Sequence, residues 1–193
     1  MTFNFSGTQA TFGKNQETHM PKSSNSPVER PDLTSQKKAQ VYTLEVFLLG
    51  GPIADKFVKK NPVISRTIKI RGDQSLEHLH GAIFDAYGRW DDHMYEFRFG
   101  KGPSDPNARR YVLPSAFERG GKAPPAGRVD RATLDSLGLE VGRSFGYWFD
   151  FGDDWLHQID VVGIDDKVPR GKLPKVTNRV GKNPPQYPDD DDE

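Results

Sequence analysis

The alternating aromatic stretch from Phe145 to Val161 constrains the fold more than any other part of the chain. Large apolar residues occupy every second position on both sides of a Gly-Asp-Asp turn at 152–154. A period of two is typical of strands, and glycine with aspartate is typical of tight turns. The stretch therefore predicts a β-hairpin with Trp155 and His157 on the core face and Trp148 on the opposite face.

The segments before this hairpin predict three more strands and one helix. Val41–Leu49, Val63–Ile70 and Tyr95–Phe99 each alternate like strands, whereas the apolar residues of Leu76–Tyr87 recur at helical spacing after a capping Ser75. The order β-β-α-β-β-β, with a long interruption before the hairpin, is typical of an α+β fold. We expect a mixed, mostly antiparallel sheet with one main helix packed on one face, as a β-grasp-like roll.

The chain divides into three parts by composition. Residues 1–40 have no hydrophobic period and predict a disordered N-terminal tail. Residues 41–165 predict the α+β domain, with a long loop at 100–130 that holds one short strand at 111–113. Residues 166–193 predict an extended basic segment followed by an acidic C-terminal tail, since six basic and no acidic residues lie in 167–185 and five acidic residues end the chain at 189–193.

Charge and cysteine content exclude several classes of function. The 27 basic and 27 acidic residues cancel, so the whole chain gives no electrostatic argument for a nucleic-acid or membrane partner. With no cysteine, disulfides, zinc thiolate sites and cysteine nucleophiles are excluded. No apolar run reaches the 18 or so residues of a membrane span. We expect a cytoplasmic protein with no membrane partner, and the sequence leaves its oligomeric state open.

Four of the five histidines, with aspartates beside them, fall in the segments with clear patterns, although no HExxH motif and no HxH pair on a strand is present. A divalent metal needs three or four nitrogen or oxygen ligands around one point, so it requires His80, His93 and His157 to converge. The candidate site comprises His80, His93, His157, Asp150, Asp153 and Asp154. The alternative is structural: each histidine hydrogen-bonds a neighbour, and the aspartates cap a turn. We expect no cofactor unless the histidines converge.

Tryptophans and arginines are the candidate binding residues. An aromatic ring on an outward sheet face can stack on a base or anchor a peptide, unless a loop covers it. The loop Lys101–Arg131 has seven basic and three acidic residues, and together with 167–185 it predicts a positive rim. The candidates are Trp90, Trp148, Trp155, Arg109 and Arg110.

Three motifs resemble one family of prokaryotic proteins. They are the segment from Leu79-His80 to the run Trp90–Phe97, the hairpin Tyr147–His157, and the ending Gly181–Pro188. In this order they resemble the plasmid pRiA4b open-reading-frame-three-like family over about 41–188. The resemblance implies an α+β domain from a bacterial, archaeal or mobile-element-associated family, and implies no defined activity. Some relatives carry a transposon-resolvase label. This chain, however, has neither the nucleophilic serine among arginines of a serine recombinase nor the Arg/His/Arg set and tyrosine of a tyrosine recombinase.

The sequence favours a binding or interaction module over an enzyme. Its partner is a protein or a nucleic acid, contacted through the aromatic hairpin and the basic loops. The alternative is a metal-dependent, hydrolase-like enzyme that uses the histidine and aspartate site.

Overall fold

The structure, a computed structural model, describes residues 39–102, 105–119 and 123–187. Of the expected N-terminal tail, only the last two residues belong to these ranges, and the acidic terminus at 189–193 also lies outside them. Within the described ranges no helix is both long enough and apolar enough to cross a membrane.

One sheet of eight strands forms the centre of the described domain. The strands are β1 (Val41–Gly50), β2 (Ser65–Arg71), β3 (Tyr95–Phe99), β4 (Arg109–Val112), β5 (Gly127–Arg128), β6 (Ser144–Phe149), β7 (Trp155–Asp165) and β8 (Lys175–Val180). Their order across the sheet is β5-β4-β3-β6-β7-β1-β2-β8. Every pair is antiparallel except β4 with β5, so the predicted α+β fold with a mostly antiparallel sheet is confirmed.

The helices are α1 (Asp55–Lys60), α2 (Leu76–Ala86) and α3 (Pro114–Arg119), with a 3₁₀ turn at Leu134–Leu137. The main helix, α2, begins where predicted because the Ser75 hydroxyl accepts a hydrogen bond from the backbone N–H of His78. Its buried residues, Leu79 and Ile83 among them, belong to one hydrophobic core with the inward residues of the strands. We call the sheet face covered by α2 the inner face and the opposite one the outer face.

The hairpin of β6 and β7 pairs as predicted, with Tyr147 opposite His157 and Phe149 opposite Trp155. Its turn is longer than predicted, because β6 ends at Phe149 and Asp150 adopts a positive φ of 53°. Aspartate tolerates this left-handed conformation better than most residues. The alternation therefore stops, and Phe151 is exposed rather than part of the core.

The two segments predicted as loop and tail contribute strands to the sheet. Residues 100–130 contain β4, α3 and β5, where only a short strand was expected. Within the basic segment, β8 pairs with β2 and forms one edge of the sheet. Because β4 and β5 form the other edge, the two basic segments that the sequence combined into one rim lie at opposite edges.

Candidate functional site

Aromatic and histidine side chains from four elements meet on the inner face near the middle of α2. His80 of α2 stacks on Tyr95 of β3, with ring centroids 3.7 Å apart and planes only 2° from parallel. Tyr147 of β6 lies 5.2 Å from His157 of β7, measured between ring centroids. We call these four residues the inner cluster.

His80 is neutral at physiological pH. Its Nδ1 atom shares a hydrogen bond of 2.8 Å with the Tyr147 hydroxyl, and its Nε2 atom lies 3.9 Å from an Asp92 carboxylate oxygen. Burial lowers the pKa of His80 to about 4, although Asp92 acts in the opposite direction. An imidazole that remains uncharged in this way serves as a packing and hydrogen-bonding group.

His157 is more deeply buried than His80, and neither of its ring nitrogens has a hydrogen-bond partner of good geometry among the described residues. Burial and then the nearby Arg89 lower the pKa of His157 to about 3, while the adjacent backbone of Trp155 and Tyr147 raises it slightly. Tyr87 packs edge-on against the ring, with centroids 5.0 Å apart.

His93 belongs to a separate, half-exposed group at the start of β3. Its Nε2 atom lies 2.9 Å from the Tyr187 hydroxyl, 3.4 Å from an Asp91 carboxylate oxygen and 3.6 Å from one of Asp150. The Tyr187 hydroxyl donates to Asp91 at 2.7 Å, which lowers the pKa of that carboxyl and raises the pKa of Tyr187 to about 12. These contacts hold Tyr187 against the start of β3.

Asp150 organises the hairpin turn. The Asp150 carboxylate accepts hydrogen bonds from the backbone N–H groups of Gly152 at 3.0 Å and Asp153 at 3.4 Å, and its carbonyl accepts from Asp154 at 2.8 Å. Asp150 therefore caps the turn with its side chain, whereas the carboxylates of Asp153 and Asp154 accept none of these bonds.

Metal binding gains no support from this arrangement. Across 39–102, 105–119 and 123–187, no group of three or more histidine, aspartate or glutamate side chains has the placement needed to hold a metal ion. His80 and His157 both contact Tyr147, whereas His93 contacts Tyr187 and Asp91.

The three tryptophans have three different environments. Trp155 is fully buried, which corrects its prediction as a binding residue, since it packs in the core. Trp148 is on the outer face as predicted, but Arg98 lies 4.1 Å over its ring and Phe151 packs 4.5 Å from it. Trp90 is 72% exposed and contacts Tyr187 edge-on.

Arg109 and Arg110 also differ in their environments. Arg109 is exposed at the start of β4. Arg110 donates hydrogen bonds to the Glu96 carboxylate at 3.2 Å and to the Ala123 carbonyl at 2.9 Å. Arg110 is therefore engaged in the fold.

Arg89 was missed by the sequence reasoning. It follows the positive-φ Gly88 after α2, and its guanidinium carbon lies 3.5 Å from the centroid of the Trp155 ring. No periodic pattern marks such a residue, because its burial depends on segments distant in the chain.

The fold and site define an α+β domain with one large sheet, an aromatic inner cluster and no metal centre within the described ranges. Residues 56–189 match the family described as Plasmid pRiA4b ORF-3-like protein, and the chain belongs to that family, as its motifs predicted.

One curated protein and one solved structure are similar to this chain. The uncharacterized protein y4hQ of Sinorhizobium fredii is 30% identical over 112 residues, which cover 52% of this chain and 46% of that protein, so the match spans less than half of the relative's length. A crystal structure of a protein of unknown function from Methanosarcina mazei Go1 has a TM-score of 0.57 and 21% identity, and covers 73% of this chain and 70% of its own. That likeness shows the fold alone.

Proposed function

We propose that this protein is a nucleic-acid-binding module that holds a phosphate backbone along the β8 edge of its sheet. The observation that carries the proposal is the separation of charge. The segments 55–72 and 167–182 contain twelve basic residues and one acidic residue, although the whole chain is neutral.

Most of these basic side chains are exposed on adjoining elements. The backbone N–H of Lys182 donates to the side chain of Asn61, which directly follows α1, at 2.9 Å, and this bond brings α1 next to the end of β8. Ten of the twelve are exposed, but Arg71 pairs with Asp73 and Arg179 donates to the Ala86 carbonyl. We define the basic edge by the other eight, which are Lys56, Lys59, Lys60, Lys167, Arg170, Lys172, Lys175 and Lys182. Among the residues that the structure describes, none of these eight forms an ion pair with a carboxylate.

The arginines at the opposite edge are less suited to this role. Arg110 pairs with Glu96, and Arg128 pairs with Asp130 at 2.7 Å. Lysine and arginine side chains bind phosphates by displacing condensed counterions, and a carboxylate partner competes for the same cation. The basic edge is therefore the surface that we expect to contact nucleic acid. Because its members are seven lysines and one arginine suited to phosphates, we expect little dependence on base sequence.

The test is binding of a labelled 20-base-pair DNA duplex, followed by fluorescence anisotropy at several salt concentrations. The triple variant Lys167→Glu, Lys172→Glu and Lys175→Glu is expected to weaken binding by about tenfold or more, and to reduce the salt slope by roughly 2–3. The matched control, Arg109→Glu, Arg119→Glu and Arg131→Glu, makes the same change of charge at the opposite edge and is expected to bind nearly as wild type.

Two results would contradict the proposal. One is equal loss of affinity in the two triple variants, which would mean that only net charge matters. The other is no binding by the wild-type protein even at about 50 mM salt, where phosphate contacts are strongest.

A further inference from the structure

A cavity of about 420 Å³ opens at the end of β3, beside the segment that connects the 3₁₀ turn to β6. Its apolar lining residues include Phe99, Leu137 and Leu139. Its charged lining residues are Arg109, Glu140 and Arg143. Pockets that bind small molecules usually have volumes of roughly 300–1,000 Å³, so this cavity is large enough for such a ligand.

The apolar part of the lining belongs to the core of the domain. Phe99 is 4% exposed and stacks on Phe145 of β6, with ring centroids 4.7 Å apart. Tyr111 of β4 packs edge-on against Phe99 at 5.3 Å. Leu137 and Leu139 are buried members of the same core. A ligand that contacts this part of the cavity therefore needs an apolar group, since a polar group would lose its hydration without gaining a partner.

Two arginines lie on the same sheet face as this apolar lining. Arg109 of β4 is directly opposite Phe99 in the antiparallel register, and opposite residues have their side chains on one face. The carbonyl of Arg143 accepts a hydrogen bond from the backbone N–H of Val161 at 2.9 Å, so Arg143 extends β6 by one residue. Arg143 is two residues before Phe145, and residues two apart on a strand share a face. The register thus explains why both arginines line one cavity.

The three charged side chains of the cavity are exposed, and they do not neutralise one another. Counting every described residue as a possible partner, the side chains of Arg109, Glu140 and Arg143 form no ion pair and no hydrogen bond. Arg110, the next residue along β4, pairs instead with Glu96. Opposite charges that line one cavity without meeting leave space for a ligand that carries both charges.

We propose that this cavity binds a small zwitterion with an apolar side chain, which is either a free amino acid or a dipeptide. Arg109 and Arg143 bind the carboxylate, and Glu140 binds the ammonium group. The apolar side chain lies against Phe99 and the two leucines. A cavity of roughly 150 Å³ accommodates benzene, so an aromatic amino acid fits within about 420 Å³. The site goes beyond nucleic-acid binding, because none of the described residues that line it belongs to the basic edge.

The probes are L-phenylalanine and the dipeptide phenylalanylglycine, titrated into the full-length protein by isothermal titration calorimetry. The tighter of the two identifies the source of the zwitterion, because the dipeptide carries its carboxylate farther from its ammonium group. Three controls each lack one recognised group. N-acetylphenylalanine lacks the ammonium group, phenylalanine amide lacks the carboxylate, and glycine lacks the side chain. We expect each control to bind about tenfold more weakly than L-phenylalanine, or worse, since a charged hydrogen bond and the burial of a large apolar side chain each contribute at least that factor.

Two variants test the role of each charge. Glu140→Gln is expected to weaken binding of L-phenylalanine about tenfold and to leave binding of N-acetylphenylalanine unchanged, because that control has no ammonium group. Arg143→Gln is expected to weaken binding of both compounds about tenfold and to leave binding of phenylalanine amide unchanged. Both residues are exposed, so neither substitution is expected to impair folding.

The matched controls make the same two changes outside the cavity. Glu118→Gln and Arg131→Gln replace exposed residues that do not line it, and both are expected to bind L-phenylalanine as the wild type does. The triple variant of the basic edge is also expected to bind L-phenylalanine normally, so this proposal and the proposed function can fail independently.

Four results would overturn the proposal. They are no binding of either probe at millimolar concentration, equal binding of L-phenylalanine and a control that lacks one of its charges, equal binding of L-phenylalanine and glycine, and normal binding of L-phenylalanine by Glu140→Gln or Arg143→Gln.

Discussion

The Nδ1 atom of His80 lies 2.8 Å from the hydroxyl oxygen of Tyr147, and this hydrogen bond joins α2 to the hairpin on the inner face. Tyr147 is almost fully buried, and its hydroxyl has a raised pKa because of that burial. The bond is therefore a buried polar link between the helix and the sheet.

Replacing Tyr147 by phenylalanine leaves the His80 ring nitrogen without its partner. We expect Tyr147→Phe to lower the free energy of unfolding by about 1–2 kcal/mol, the usual cost of an unsatisfied buried acceptor or donor. Urea denaturation followed by tryptophan fluorescence measures this change.

The control for this variant is Tyr95→Phe. Tyr95 also packs on His80, but its hydroxyl forms no hydrogen bond with another described residue. The same atom is removed, so a change below about 0.5 kcal/mol is expected. Equal effects of the two substitutions would show that the Tyr147 bond contributes nothing specific.

The two histidines of the inner cluster predict a loss of stability in acid. Burial lowers the folded-state pKa of His80 to about 4 and that of His157 to about 3, whereas histidine in an unfolded chain titrates near 6.5. Below pH 6.5 the unfolded state therefore binds more protons than the folded state, and stability decreases as pH falls. This dependence ends once pH passes below the folded-state pKa values.

His157→Leu isolates the larger contribution. At pH 4 the folded state excludes a proton that the unfolded His157 binds, and this should cost the wild type about 3 kcal/mol relative to pH 7. We expect the stability of His157→Leu to decrease less over this range by about that amount. Subtracting the two free energies of unfolding at each pH removes the contribution of the carboxylates that both proteins share. Parallel curves of stability against pH from 7 to 4 would contradict the assignment.

Glu96 is a buried carboxylate that holds two arginines on the outer face. It is 3% exposed and accepts from Arg98 Nε at 2.6 Å and from Arg110 Nη1 at 3.2 Å. Because Arg98 also lies over Trp148, the carboxylate helps to position the cover of that ring. Glu96→Gln should therefore lower the free energy of unfolding by about 1–3 kcal/mol.

Glu140→Gln makes the same chemical change at an exposed position where no ion pair with a described residue exists. It is expected to change stability by less than about 0.5 kcal/mol. If Glu96→Gln is equally mild in urea denaturation, the two arginine contacts do not stabilise the fold.

Local pattern was sufficient to predict the hairpin and α2. The side chains of Tyr147, Phe149 and Trp155 alternate because one face of each strand is buried, and Leu79 and Ile83 are spaced for one helix face. In both cases burial is imposed along a single element, so it is visible in a single stretch of sequence.

Contacts between distant segments explain what the sequence did not predict. The strand β8 has almost no buried side chains, so its residues lack an apolar period, and its place is set by backbone pairing with β2 and by the bonds of Arg66 to Val180 and Gly181. Arg89 is buried by Trp155, which lies far along the chain. Neither relationship leaves a periodic signal.

Two glycines provide opposite responses to the same substitution. Gly181 has a φ of +69°, and an added Cβ would lie 2.5 Å from the backbone oxygen of Val63. Gly81 lies inside α2, and an added Cβ there would have no heavy atom within 4 Å. We expect Gly181→Ala to destabilise the fold by about 2–4 kcal/mol, from left-handed strain together with the clash. Gly81→Ala should stabilise it by about 1 kcal/mol, because alanine favours the helix and restricts the unfolded chain. Urea denaturation of both variants beside the wild type measures this contrast, and a gain in stability for Gly181→Ala would refute the tight passage of β8 past Val63.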